Sequence, residues 1–306
     1  MADFDGLKQG EVDLGRLVAR IGAEFPSLDL GQPRLNDHGA DHAVVILGDA
    51  WVFRFPRGPE AAACAAGERR LLAHLNRAAA LATPRYERVA AAGDFAGYRM
   101  IVGDQLSPVL FARLPHQTQE GVLEALGGFL AVLHATPPAL AASSEGATPP
   151  PRTAAQTVRR YHRRRERLAA ALPGDLGRRI DVFYEALPAA LDDAPTVLVH
   201  GDLTEDHILL APEVDRLAGL IDFTDAGPAD PAFDFTFLWA YGDWAPAHAA
   251  RRYGTGEAVD RLLRRSRWWF IRYGVDQLWW NLSGARGYDV TRVLAHIRAG
   301  LDALGF

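Results

Sequence analysis

One cysteine, one lysine and two methionines are all that 306 residues hold of those types. A single thiol, Cys64, cannot close an internal disulfide, so the fold has to stand without one, and a reducing cytoplasm is the expected setting. No stretch approaches about 18 uninterrupted apolar residues, which excludes a helical membrane span. The opening MADFDGLKQGEVDL is acidic and lacks the basic-then-apolar order of a signal peptide. A net charge of −5 leaves no basic excess, which argues against a general nucleic-acid binder. Lys8 is the sole lysine, so any buried cation the chain employs must be arginine or histidine.

What is present describes an ordinary globular chain, 49% hydrophobic and 23% charged. At roughly 150 residues per domain the length predicts two domains or lobes, and a chain of this size buries about three quarters of its unfolded surface. Residues 11–30 carry a helical apolar stripe ending near Gly22 and Pro26. Two β-rich runs, 43–47 and 51–55, flank Gly48-Asp49-Ala50 and predict a hairpin. The alanine-rich stretch 60–80 predicts a long helix, and 86–89 and 98–102 two further strands. Beyond Gly103 the pattern turns mostly helical, with a helix over 119–134, a loop over 141–152 and a helix around RRYHRRRERL. TVLVHGDL and RLAGLIDF predict strands, and 232–306 several helices.

The chemistry concentrates between Val197 and Asp234. One apolar run delivers His200-Gly201-Asp202 to a turn, His207 follows a polar spacer, and a second run delivers Asp222. Two strand ends are thus expected to present Asp202, His207 and Asp222. Phosphoryl transfer needs such a set: a carboxylate to accept the proton of the acceptor hydroxyl, and two ligands to hold Mg²⁺ against the developing phosphate charge. The spacing Asp202-x-x-x-x-His207 is that of a kinase catalytic loop, which ends in asparagine. Metallohydrolases also cluster histidine and aspartate near strand ends, although HExxH and H-x-E…C-x-x-C are absent. A single buried histidine is commonly a hydrogen-bonded core residue.

On these residues the chain resembles the aminoglycoside phosphotransferase family, the small-molecule branch of the protein-kinase-like fold, and more closely its 2″-phosphotransferases than the macrolide phosphotransferases. HGDLTEDHILL (200–210), LIDFTDAGPADPAFDF (220–235), WVFRFPRG (51–58), FLAVLH (129–134) and GYRMIVGDQL (97–106) carry the resemblance over almost the whole chain, in the family's order. It implies an α+β, two-lobed fold with a sheet-containing nucleotide lobe over 1–102 and a mostly helical catalytic and substrate lobe over 103–306, the nucleotide lying between them. It implies Asp202 as catalytic base, with Asp222 and His207 as metal ligands for Mg²⁺. His200 and Asp234 would support the catalytic loop, and Met100 and Val102 would meet the nucleotide at the hinge. The donor would be ATP or GTP.

Two departures stand out. The strand position where kinases carry lysine is Arg54, with Glu68 fourteen residues on as its helix partner. Arginine keeps its charge and binds phosphate with a fork, so the exchange is chemically tolerable without being geometrically conservative. Thr224 follows Asp222-Phe223 where the family's kin have glycine. These two departures are the support for an alternative, a nucleotide-binding pseudokinase without turnover. The loop LNDHGADHAVV has one glycine and by itself predicts a hairpin turn at 36–42.

Six of seven tryptophans fall within 232–280, together with Asp243, Glu257, Asp260 and Asp276. Aromatic walls suit a macrolide or a sugar, and carboxylates suit an aminoglycoside. Asp243 and Trp268 are the candidates for substrate contact. The arginine run 159–167 is expected as a solvated helix face, one that disfavours a polycation nearby. The expected partners are a nucleoside triphosphate and a small-molecule hydroxyl acceptor, an aminoglycoside first and a macrolide or metabolic small molecule as the alternative. Nucleic acid and membrane are not expected partners, and oligomeric state is left open.

Overall fold

The computed structural model describes residues 11–37, 39, 41–142, 152–212, 216–254, 257–285 and 287–306. The chain begins with α1 (Leu14–Glu24), whose N-terminus Asp13 caps by accepting from the Arg16 N–H. This helix is shorter than the 11–30 stripe, because Phe25 leaves helical geometry. Five strands and a helix follow: β1 (Pro33–Asn36), β2 (His42–Leu47), β3 (Trp51–Pro56), α2 (Pro59–Ala78), β4 (Tyr86–Val89) and β5 (Ala96–Arg99). The strands make one antiparallel sheet in the order β1-β2-β3-β5-β4. The 43–55 hairpin forms in the expected register, with Val45 opposite Phe53. Asn36 pairs with Val44, so β1 and β2 form the hairpin expected there, although positions 38 and 40 lie outside the described residues. The last strand of this sheet ends at Arg99, leaving Met100 and Val102 on an extended connector.

The sheet core is aromatic. Leu17 and Ile21 of α1 join Val45, Leu47, Trp51, Phe53, Phe55 and Phe95, and the Phe55 and Phe95 rings stack at 4.5 Å. A side chain at Gly97 would begin 2.4 Å from the Phe53 ring, so that strand position has no room for a β-carbon.

The next elements are β6 (Asp104–Gln105), α3 (Pro108–Arg113), α4 (His116–His134), α5 (Ala154–Ala171), α6 (Leu176–Ala190), β7 (Val197–Val199), β8 (Ile208–Ala211), β9 (Arg216–Leu220) and β10 (Gly227–Ala229). Three helices close the chain: α7 (Ala245–Tyr253), α8 (Glu257–Ser283) and α9 (Val290–Leu304). The expected loop over 141–152 lies mostly outside the described residues. The run Ile208–Ala211 is a strand in its own right, so His207 stands before a strand and not at the end of one. That strand pairs with both β6 and β9 in a three-stranded sheet.

Two compact units result. The first holds residues 1–118, 136–149 and 204–227, and the second 119–135, 150–203 and 228–306. In the first, Leu220 N–H donates to the Ala82 carbonyl at 2.9 Å, tying β9 to the segment that follows α2. In the second, α5 lies along α6 with Tyr161 and Tyr184 stacked at 3.9 Å, and Trp268 of α8 stacks on Phe183 at 5.0 Å. No helix among the described residues is long and apolar enough to cross a membrane.

Candidate active site

Within the first unit the fold gathers four of the sequence candidates: Arg54, Glu68, His207 and Asp222. Every residue of β3 is buried, so Arg54 cannot reach solvent and must find its partners inside. Its Nη1 donates to Glu68 Oε1 at 2.7 Å, and Nη2 donates to Asp222 Oδ1 at 3.0 Å and to Thr224 Oγ1 at 2.5 Å. The same Nη2 donates to His42 Nδ1 at 3.2 Å. Burial opposes the charge on Arg54, but Glu68, then Tyr86 and Asp222, outweigh it and hold the guanidinium as a firm cation. His42 is pushed the other way: burial, then the Arg54 charge, lowers it to about 3, so it accepts as neutral imidazole.

The two departures noted in the sequence meet here. Thr224 Oγ1 accepts from Arg54 and donates to Asp222 Oδ1 at 2.7 Å. A glycine could do neither, and a lysine ammonium lacks the fork by which Nη1 serves Glu68 and Nη2 the Asp222–Thr224 pair. Arginine and threonine therefore act as a matched pair.

Asp222 has φ 61°, the one positive value for a non-glycine among the described residues. The left-handed backbone is costly for such a residue and is held by the contacts to Arg54 and Thr224. The β8–β9 hairpin brings His207 close: Ile221 N–H donates to the His207 carbonyl at 3.0 Å, and His207 Nε2 lies 3.7 Å from Asp222 Oδ2. Since Oδ1 is occupied by Arg54 and Thr224, Oδ2 is the oxygen turned to His207. Asp41 adds to this acidic corner. Its carboxyl is raised by burial and then by the charges of Asp225 and Asp222. Sequence reading missed His42, Asp41 and Asp225, because their relation to Asp222 exists only once the strands are paired.

A divalent cation fits this corner. Asp222 Oδ2 and His207 Nε2 can share one ion, and the mutual repulsion of Asp41, Asp222 and Asp225 marks negative charge that a dication would relieve. No group of three or more metal-ligating side chains occurs among the described residues.

The second unit holds Asp202, His200 and Asp234. Asp234 is 1% exposed. Its Oδ2 accepts from the His200 N–H at 2.7 Å and from His134 Nε2 at 3.1 Å, and its Oδ1 from the Gly201 N–H at 3.0 Å. Burial alone would raise this carboxyl. The His134 hydrogen bond, with that of the Gly201 N–H, overcomes it and holds Asp234 below the usual carboxylate range. His134 Nδ1 meets the Tyr253 hydroxyl at 2.9 Å, so one tautomer, with the proton on Nε2, satisfies both partners. Asp202 is half-buried, and its N–H donates to His200 Nδ1 at 3.3 Å. Arg152 Nη1 donates to the Gly201 carbonyl at 2.6 Å. The backbone of His200-Gly201-Asp202 is thus held at consecutive positions, which aims the Asp202 side chain.

The weaker candidates sit less tellingly. Val102 is exposed and Met100 half-buried. The Asp243 carboxylate stands in solvent beside Arg267 at 3.3 Å. Trp268 is half-buried, in ring contact with Phe183 and Phe306.

A five-stranded antiparallel sheet with one helix supplying a carboxylate to its central strand, joined to a largely helical unit, is the α+β fold of kinase-like phosphotransferases. The profile of the APH group, described as a phosphotransferase enzyme family, matches residues 33–269, and the chain belongs to that family. It is similar to the streptomycin 3″-kinase of Streptomyces griseus, 37% identical over 105 residues, a stretch that covers 31% of this chain and 35% of that enzyme. Among solved structures, the GDP and kanamycin complex of APH(2″)-IIIa superposes with a TM-score of 0.78 at 22% identity, over 95% of this chain and 99% of that one. A macrolide 2′-phosphotransferase from Brachybacterium faecium, solved as the apoenzyme, gives 0.63 at 24% identity over 95% and 98%. These two likenesses are of fold.

Proposed function

We propose that this protein transfers the γ-phosphoryl group of ATP or GTP to a hydroxyl of a small molecule. The observation that carries the reading is the Arg54 guanidinium, buried in β3 and shared between Glu68 of α2 and Asp222 after β9. Phosphoryl transfer is mostly positioning and charge stabilisation, and it uses a strand cation fixed by a helix carboxylate beside a metal-binding aspartate. Arg54 would orient the donor phosphates, with Met100 and Val102 of the β5–β6 connector meeting the base. Asp222 and His207 would hold Mg²⁺, which supplies charge neutralisation at the transferred group. Asp202 would accept the proton of the attacking hydroxyl, its loop held by Asp234. In this reading 1–102 serves as the nucleotide lobe and 103–306 as the catalytic and substrate lobe, and a reducing cytoplasm suits the single exposed thiol of Cys64.

The acceptor we propose first is an aminoglycoside, on the strength of the streptomycin kinase relative. The second reading is a macrolide or a metabolic small molecule, and the arginine-rich surface of α5 would disfavour a polycation that came close to it. The small recess between α5, α6 and α8 is lined by Arg160, Arg164 and Arg272 against one carboxylate, Asp276, which both Arg164 and Arg272 already bind. A polycation would meet net positive charge there.

The test is nucleoside diphosphate release with Mg²⁺ and ATP or GTP against aminoglycosides, macrolides and small hydroxyl metabolites, each product weighed by mass spectrometry. Gain of one phosphate by one acceptor class is the expected result. Asp202→Asn should lose about 10²–10⁴ in turnover while nucleotide still binds. Wild-type turnover in that variant refutes the assignment, and nucleotide binding without transfer to any acceptor favours a pseudokinase.

A further inference from the structure

A second recess lies in the first unit, away from Asp222, between the outer face of α2 and the edge strand β4. It encloses about 400 Å³, a size that suits a small organic ligand. Three guanidiniums converge on it: Arg69 and Arg77 from α2 and Arg85 at the entry to β4. None of the three makes a hydrogen bond or ion pair with a described residue, and no carboxylate lines the recess. Of the three, Arg69 has the charge of Glu68 near it, while Arg77 and Arg85 stand exposed at the rim. Apart from Asn76, the rest of the wall is mainly apolar, from fully buried Leu72 to Tyr86 and the exposed Val89. The recess is also preformed. The Asn76 side-chain amide donates to the Leu72 carbonyl at 2.8 Å and to the Pro84 carbonyl at 3.0 Å, which clamps α2 to the chain leading into β4.

We infer that this recess is a binding site for a small organic anion, a phosphate or carboxylate group carried on an apolar or ring-shaped body. Arginine forks match planar or tetrahedral oxyanions with paired N–H donors, and the Leu72, Tyr86 and Val89 wall takes the body of the ligand. The site is separate from the nucleotide and acceptor positions proposed above and does not depend on them. It backs onto the phosphate anchor all the same: Arg69 and Tyr86 line both this recess and a narrower one that reaches Arg54 and His42.

The probe is phenyl phosphate, which joins an oxyanion to a ring, titrated calorimetrically at low salt into the full-length protein. Saturable binding is expected, about tenfold or more tighter than that of inorganic phosphate, because only the former uses the apolar wall. Arg77→Gln combined with Arg85→Gln should weaken it about tenfold or more, and because both side chains are exposed, the melting temperature should match the wild type. An affinity unchanged in the double variant, or equal affinity for inorganic phosphate, overturns the proposal. The titration reads binding and not turnover, so it stands or falls apart from the acceptor assay.

Discussion

Replacing Asp234 with asparagine removes one charge and one acceptor from a site sealed from water. The carboxylate accepts three hydrogen bonds, from the His200 and Gly201 N–H groups and from His134 Nε2. Asparagine offers a single oxygen and turns its NH₂ toward a donor on the other side. If the oxygen takes the Oδ2 position, two bonds survive without their charge, at a loss of about 1 kcal/mol each. The Gly201 N–H is then left facing another donor, a further cost of about 1–3 kcal/mol for a buried unpaired group. The total is about 3–5 kcal/mol, in the range seen when one partner of a buried charged pair is removed. Guanidinium unfolding followed by tryptophan fluorescence is a suitable assay, because six of the seven tryptophans lie in the unit that contains Asp234. The pH dependence provides an internal check. Since the folded carboxyl lies below its unfolded value, its contribution is complete above the unfolded pKa and is lost as pH falls through the folded one. The gap between wild type and Asp234→Asn should therefore narrow in acid, below about pH 4. Unfolding midpoints that coincide at neutral pH, or a gap that widens in acid, would refute the reasoning.

Other consequences can be measured as directly. Arg54→Lys should reduce kcat/KM about tenfold or more, since one ammonium nitrogen replaces the two that serve Glu68 and the Asp222–Thr224 pair separately. Thr224→Gly should impair the wild type yet cost little in the Arg54→Lys background; a double-mutant cycle in which the two effects simply add would show that the residues are not matched. His42, lowered to about 3 when folded, remains neutral there while its unfolded counterpart protonates, so its contribution is complete above about pH 6.5 and declines toward pH 3. His42→Gln should flatten the stability profile in that window, where a single group contributes a slope of about 1.4 kcal/mol per pH unit; an unchanged slope counts against a buried neutral imidazole. Gly127 of α4 has no room for a β-carbon, which would lie 1.9 Å from the Ala249 carbonyl oxygen, so Gly127→Ala should destabilise the second unit by about 1–3 kcal/mol or more in the same unfolding assay. A neutral result would mean that α4 and α7 can separate freely.

Much of the fold was legible in local pattern. Alternation over 43–47 and 51–55 about a Gly-Asp turn is a short-range signal, and the hairpin formed as expected with Val45 facing Phe53. Helical spacing located α2, α4 and α5 because their apolar stripes reflect burial on one face. The short elements were harder to read. The paired residues Asp104 and Gln105 make a strand only because β8 lies beside them, and Ile208–Ala211 sits too close to His207 to register as a separate strand. The arginine at position 54 and the glutamate fourteen residues later could be proposed as partners from spacing alone, and in the fold they stand 2.7 Å apart.

By itself the sequence determined the longer elements and the identity of the chemically capable side chains, since these follow from periodicity, turn residues and the kinds of group placed at strand ends, while the kinase-like class was legible through the resemblance of its motifs to a known family. Which groups meet was decided by tertiary structure alone. The Thr224 hydroxyl completes the coordination of Arg54 only because the segment after β9 comes beside β3. Asp234 and His134 are 100 residues apart in the chain, and the second, three-arginine recess exists only where α2 packs beside β4. Hydrogen bonds and charge interactions act over a few ångströms in space, and a linear sequence carries no information on such distances until burial of its apolar faces has chosen the packing.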